Sequence, residues 1–153
     1  MKLAAGTKIN APVDAVWAEV AEEQFWAELL TALGLELKRV EGSAPGMSEG
    51  ASWEAQSKHK LMSGKVGLAV EKVERPHRIV LKTVATGIDG TVRVIVKEVE
   101  SGTSRLRVVT ELSSRGAMGK MTMSALKLAS GRIEKRYHAA VLNAARKVTR
   151  ALG

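Results

Sequence analysis

The chain has no cysteine. That excludes disulfides, thiolate metal sites and cysteine nucleophiles, and it fits a reducing compartment. Aromatic residues are scarce: three Trp, one Tyr and one Phe in 153 residues. The surface cations therefore lack the interleaved rings on which single-stranded nucleic acid stacks. Asp14 and Asp89 are the only aspartates. Paired catalytic carboxylates would have to come from glutamates, and most of those fall at outward positions. No stretch approaches the ~20 apolar residues of a membrane span. The first residues, Met1 to Gly6, hold no apolar run of the kind a signal peptide needs. The expectation is a cytoplasmic protein without a transmembrane segment. No H-E-x-x-H, P-loop, dinucleotide glycine fingerprint or G-x-S-x-G elbow occurs, nor any zinc-finger, RNA-recognition or helix-turn-helix signature. We therefore expect no metal, no cofactor and no recognisable catalytic residue.

What is present is one domain's worth of chain, 1–153, with ordinary apolar content and a net charge of +8. Seven of those charges fall between Gly119 and Leu152, where eight Lys and Arg face a single acid, Glu134. The same stretch carries Leu126, Ser130, Ile133, Tyr137, Val141, Ala144, Val148 and Ala151 at three- and four-residue steps. That spacing predicts one long amphipathic helix. At 1.5 Å per residue it would have ~33 residues and run ~50 Å, which requires a broad sheet around it. Its cations read first as a solvated face and not as a reader of nucleic acid sequence. A weak attraction to anionic membranes stays open.

Upstream, Thr7 to Asn10 reads as a short first strand with Ile9 inward. Asn10-Ala11-Pro12 opens a helix within a residue or two, with Val13, Val16, Trp17 and Val20 as its buried stripe. Trp26, Leu29, Leu30 and Leu33 form a second short helix that Gly34 ends. From Leu35 the period changes to two. Strands follow at Leu35–Glu41, along Ala51, Trp53, Ala55 and Ser57, along Val66, Leu68 and Val70, at Ile79 and Leu81, along Val92, Val94 and Val96, and along Leu106, Val108 and Leu112. Tight turns between them imply an antiparallel meander with one wet face.

With these residues in this order, the chain resembles the START-like superfamily, also called SRPBCC or helix-grip proteins. The carrying segments are Ile9 to Trp17, Gly50-Ala51-Ser52-Trp53, Val73 to Ile79 and Gly102 to Leu106. The bacterial polyketide-cyclase/dehydrase and lipid-transport-like branch is the nearest in kind. The resemblance implies an α+β fold: about seven antiparallel strands around a long C-terminal helix, with two short helices after strand one. It also implies an elongated apolar cavity between sheet and helix. Members carry lipids, hormones or polyketides, and a minority are enzymes. They share no single catalytic motif, so no catalytic residue carries over.

The residues that could line such a cavity are Trp26, Trp53, His59, Met121, Leu126 and Tyr137. Trp26 and Trp53 serve equally as core or cavity wall, each with one N–H for a polar ligand group. Met121, beside Met118 and Met123, serves as core filler or as a yielding binding surface. His59 shares the inner face with Trp53 if its strand reaches that far. Ser130-Gly131 is either a kink or a tolerated interruption of the helix. The leading expectation is binding or transport of an apolar, lipid- or polyketide-like molecule near Trp53, Met121 and Leu126. A cyclase/aromatase-like enzyme is the alternative, with His59, Tyr137 or Thr83 moving protons. A co-chaperone-like protein-interaction module is the third. The chain would be a monomer or homodimer.

Overall fold

The computed structural model describes residues 1–59 and 64–153. The chain runs β1 (Lys2–Ile9), α1 (Val13–Val20), α2 (Glu23–Ala32), β2 (Leu35–Arg39), β3 (Ser52–Ser57), β4 (Gly64–Glu74), β5 (Arg78–Ala85), β6 (Ile88–Glu100), β7 (Thr103–Ser114), α3 (Gly116–Leu128) and α4 (Ser130–Ala151). The seven strands form one antiparallel sheet in the order β1-β7-β6-β5-β4-β3-β2. This is the α+β helix-grip arrangement that the sequence implies.

Strand parity decides which side is covered. Leu81, Val92, Thr110 and Leu3 are register partners across four strands, and so are Val94 and Val108. All are buried. The helices close this face. α1 contributes Val16, Trp17 and Val20, and α2 contributes Phe25, Trp26, Leu29 and Leu30. α4 contributes Tyr137, Ala140, Val141, Ala144, Ala145 and Val148. Three of those six are alanines. Small side chains let the helix backbone lie close to the sheet.

Three sequence expectations change. First, the tail is two helices and not one. Ala129 leaves helical geometry at φ −96° and ψ 10°. Its N–H donates to the carbonyls of both Ala125 and Leu126, and its own carbonyl accepts from Arg132 and Ile133. The turn is tightened in 3₁₀ fashion beside Ser130-Gly131, where Gly weakens helical preference. Second, β1 starts at Lys2 and pairs with β7 along its whole length. Third, Asn10 does not cap α1. Pro12 occupies the cap position without a side-chain bond. Gly34 does end α2, with φ +94° and its N–H on the Thr31 carbonyl.

Candidate functional site

The inner face of the edge strand β2 is set by Leu35, Leu37 and Arg39. A charge that continues an apolar parity needs partners. Arg39 has several. It lies opposite Trp53 in the β2–β3 register, and its guanidinium carbon sits 4.9 Å from the centroid of the Trp53 ring. Its Nη2 donates to Glu23 Oε2 at 2.8 Å. Nη1 and Nη2 also donate to the carbonyls of Ala44 and Gly46, at 2.6 and 3.0 Å. Trp53 Nε1–H donates to the other oxygen of Glu23 at 2.9 Å. Glu23 opens α2, where a carboxylate also favours the helix dipole. The Arg39 hydrogen bond, helped by Trp53, holds the Glu23 carboxyl below its ordinary value although burial opposes this. One ion pair and one indole thus tie α2, β2, β3 and the loop 40–51 together.

Beneath this latch lies a hollow of about 10 Å³, lined by Glu23, Trp26, Leu30, Leu37, Met47, Trp53 and Leu81. That is room for about one water molecule. Trp26 turns its N–H away from the hollow, to the Val20 carbonyl at 2.9 Å. A wider trough of about 690 Å³ crosses β5, β6, β7 and β1. Its walls include Lys2, Lys82, Thr91 and Glu111, a row of register partners on the solvent side of the sheet. It is open and mixes charges of both signs. The trough has the volume of a small-molecule site but not its enclosure or apolar walls; the hollow has the apolar walls but not the volume.

The structure brings together two of the six sequence candidates, Trp26 and Trp53. His59 lies past the end of β3, half-buried, with its backbone N–H 3.3 Å from Ser57 Oγ. Burial, and then the Arg136 charge, push its imidazole below the usual range. Tyr137 is buried on α4, with its hydroxyl 3.0 Å from Thr110 Oγ1, and burial raises its phenol. Leu126 is buried on the sheet side of α3, whereas Met121 faces solvent. None of these four lines the hollow. Glu23, Arg39 and Met47 were not singled out in the sequence. The parity of Leu35, Leu37 and Arg39 was the available signal for Arg39. Among the described residues, no group of three or more His, Asp or Glu could hold a metal ion. Nor is any helix among them long and apolar enough to cross a membrane.

The fold and this interior define the class: the chain has the START-like, or SRPBCC, helix-grip fold. Solved structures carry that assignment. The chain is similar to norcoclaurine synthase from Thalictrum flavum, at 12% identity and a TM-score of 0.69, over 99% of this chain and 87% of that one. It is similar to the Zhui aromatase/cyclase from Streptomyces sp. R1128, at 15% identity and a TM-score of 0.69, over 100% and 98% of the two chains. A conserved protein from Geobacillus kaustophilus matches at 9% identity and a TM-score of 0.60, over 99% and 97%. No family model matches the chain, and no curated protein does.

Proposed function

We propose that this chain binds an apolar small molecule, lipid- or polyketide-like, in the interior of the grip, with the hollow at Trp26 and Trp53 as its seat. The hollow carries the reading: apolar side chains from α2, β2, β3, β5 and Met47 surround a void there, beneath a cover held by polar groups. At about 10 Å³ the void admits no guest as it stands. A guest enters when Met47 and the Glu23–Arg39 pair move aside. That movement frees the Trp53 indole N–H and the Arg39 guanidinium, both donors. The ligand that fits is an apolar body with a carbonyl or carboxylate head. A cytoplasmic setting, and a monomer or homodimer, complete the proposal.

The cyclase reading draws on the names of two structural neighbours. On this chain the titratable groups at the hollow weigh against it. Glu23 is the one carboxylate in the lining, and Arg39 keeps it ionised, so it has no proton to give near neutral pH. His59 and Tyr137 stand outside the lining. The comparisons give no support to the interaction-module reading.

Two measurements test the proposal. Native mass spectrometry of freshly purified protein should show an adduct whose extracted ligand is apolar. A fluorescent fatty acid should quench Trp emission saturably, and Trp53→Ala should weaken that binding by roughly tenfold, the effect of losing about 1.4 kcal/mol. If wild type shows neither an adduct nor saturable quenching by any apolar probe, the proposal fails.

A further inference from the structure

The helix α3 is apolar on two sides. Its sheet side buries Gly119, Met123 and Leu126. Gly119 rests directly on the β5–β6 turn, where a Cβ would fall 2.1 Å from the Gly87 carbonyl oxygen. The other side holds Met118, Met121, Ala125 and Leu128, at i, i+3, i+7 and i+10, so they lie along one stripe. Met118 is 71% exposed, Met121 74% and Leu128 91%. Large apolar side chains grouped this way on a surface mark an interaction site.

The charges on this part of the chain argue for one occupant. Between Glu111 and Glu134 there is no acidic residue, and there are four cations: Arg115, Lys120, Lys127 and Arg132. Arg115 is paired with Asp89 at 2.7 Å. Lys120, Lys127 and Arg132 are exposed and form no ion pair among the described residues. A second copy of the chain docked here would bring these cations against their own kind. A nucleic acid would meet methionine and leucine at the centre of the contact, where its phosphates need donors. A lipid surface with anionic headgroups satisfies both halves, because thioether and isobutyl groups enter the acyl boundary and ammonium groups meet the headgroups.

We propose that α3 docks this protein peripherally on anionic lipid surfaces, through the Met118–Met121–Leu128 stripe with Lys120, Lys127 and Arg132 at the headgroups. The α3 surface lies apart from the hollow at Trp53, so this proposal stands or falls independently of the ligand.

The chain has no cysteine, so Met121→Cys supplies a single thiol for an environment-sensitive fluorophore. The probes are vesicles of phosphatidylcholine with and without phosphatidylglycerol. The label should shift to the blue on the mixed vesicles, and wild type should co-sediment with them at least about tenfold more tightly than with neutral ones. Met121→Ser/Leu128→Ser keeps the charge and should lose roughly tenfold in binding, while circular dichroism stays unchanged because both positions are exposed. Lys120→Ser/Lys127→Ser should also weaken binding and lower its salt dependence. Wild type that ignores the mixed vesicles overturns the proposal. So does a bound protein whose label stays in water, or Met121→Ser/Leu128→Ser binding as wild type does, since the overall charge alone would then be responsible. A concentration-dependent dimer in sedimentation velocity that Met121→Ser abolishes would assign the stripe to a second copy, and would equally overturn it.

Discussion

Trp26→Ala tests whether the grip is filled by its own side chains. Trp26 is 2% exposed and meets Phe25 edge-on, with ring centroids 6.2 Å apart at 83°. Truncating a buried Trp to Ala costs about 3–5 kcal/mol, the lost transfer energy plus the cavity left behind. The indole also supplies a donor to the Val20 carbonyl at 2.9 Å. That carbonyl ends α1, where the last carbonyls have no partner within the helix. Removing the donor places the cost in the upper half of the range, at about 4 kcal/mol. For a domain of this size, this corresponds to a fall of about 8–16 °C in melting temperature. Trp26→Phe keeps most of the ring and loses the donor, so its cost should be about 1–2 kcal/mol. Urea unfolding followed by circular dichroism measures both, and native stabilities of about 5–15 kcal/mol leave the Ala variant measurable. The Ala variant should also take up a small apolar dye that wild type binds less well. A destabilisation below about 1.5 kcal/mol would refute the reasoning, because it would mean that Trp26 is not packed as core in solution.

Two glycines of the tail should respond with opposite signs. Gly119→Ala pushes a methyl into the Gly87 carbonyl and should cost about 1–3 kcal/mol or lift α3 from the turn. Gly131→Ala meets open space and should stabilise α4 by about 0.5–1 kcal/mol, read as a rise in urea midpoint. The Glu23–Arg39 pair predicts a pH dependence. Arg39 depresses the folded carboxyl of Glu23, so its contribution is present above the ordinary value of 4.5 and is lost as pH falls through the lower folded value. The Glu23 side chain is 41% exposed, so solvent screening holds the contribution under about 1 kcal/mol. The stability difference between wild type and Glu23→Gln should therefore be small at neutral pH and vanish in acid. A difference that grows on acidification would contradict the assignment.

Strands β3 to β7 were legible because each carries a run of alternating inward residues, such as Trp53 and Ala55 in β3 or Val92, Val94 and Val96 in β6. The early part of β1 was not. Ala4, Ala5 and Gly6 have weak strand preference, and pairing with β7 makes them a strand. The break at Ala129 was hidden for a different reason. Leu126, Ser130, Ile133 and Tyr137 keep helical spacing straight through it, so periodicity reports continuity where the hydrogen bonds tighten. At the site, Trp26 and Trp53 were identified as residues, but their meeting depends on where α2 crosses the sheet, and no local pattern encodes that. Met121 was placed inside because α3 carries apolar residues on both sides. With Met118, Met121, Met123, Leu126 and Leu128 in one helix, hydrophobicity alone does not say which side is covered.

The two sides of the grip are held by different physics, and this bears on where the proposed guest would enter. On the α4 side, Val141, Ala144, Ala145 and Val148 are buried, and the Tyr137–Thr110 hydrogen bond is buried as well. Lifting α4 would expose all of that apolar area at roughly 25 cal/mol per Å². On the α2 side the outermost fastening is polar. It consists of a partly exposed ion pair, an indole N–H and two loop carbonyls gripped by one guanidinium. Water substitutes for each of those bonds when they part, so their net contribution is about 1 kcal/mol apiece or less. Met47 is the one apolar side chain of the loop in the hollow's lining, and methionine repacks readily. Opening between α2 and the loop 40–51 therefore costs far less than opening beneath α4. On the function proposed above, a guest would therefore enter there, onto the sheet face that carries Trp53, Leu37 and Leu81.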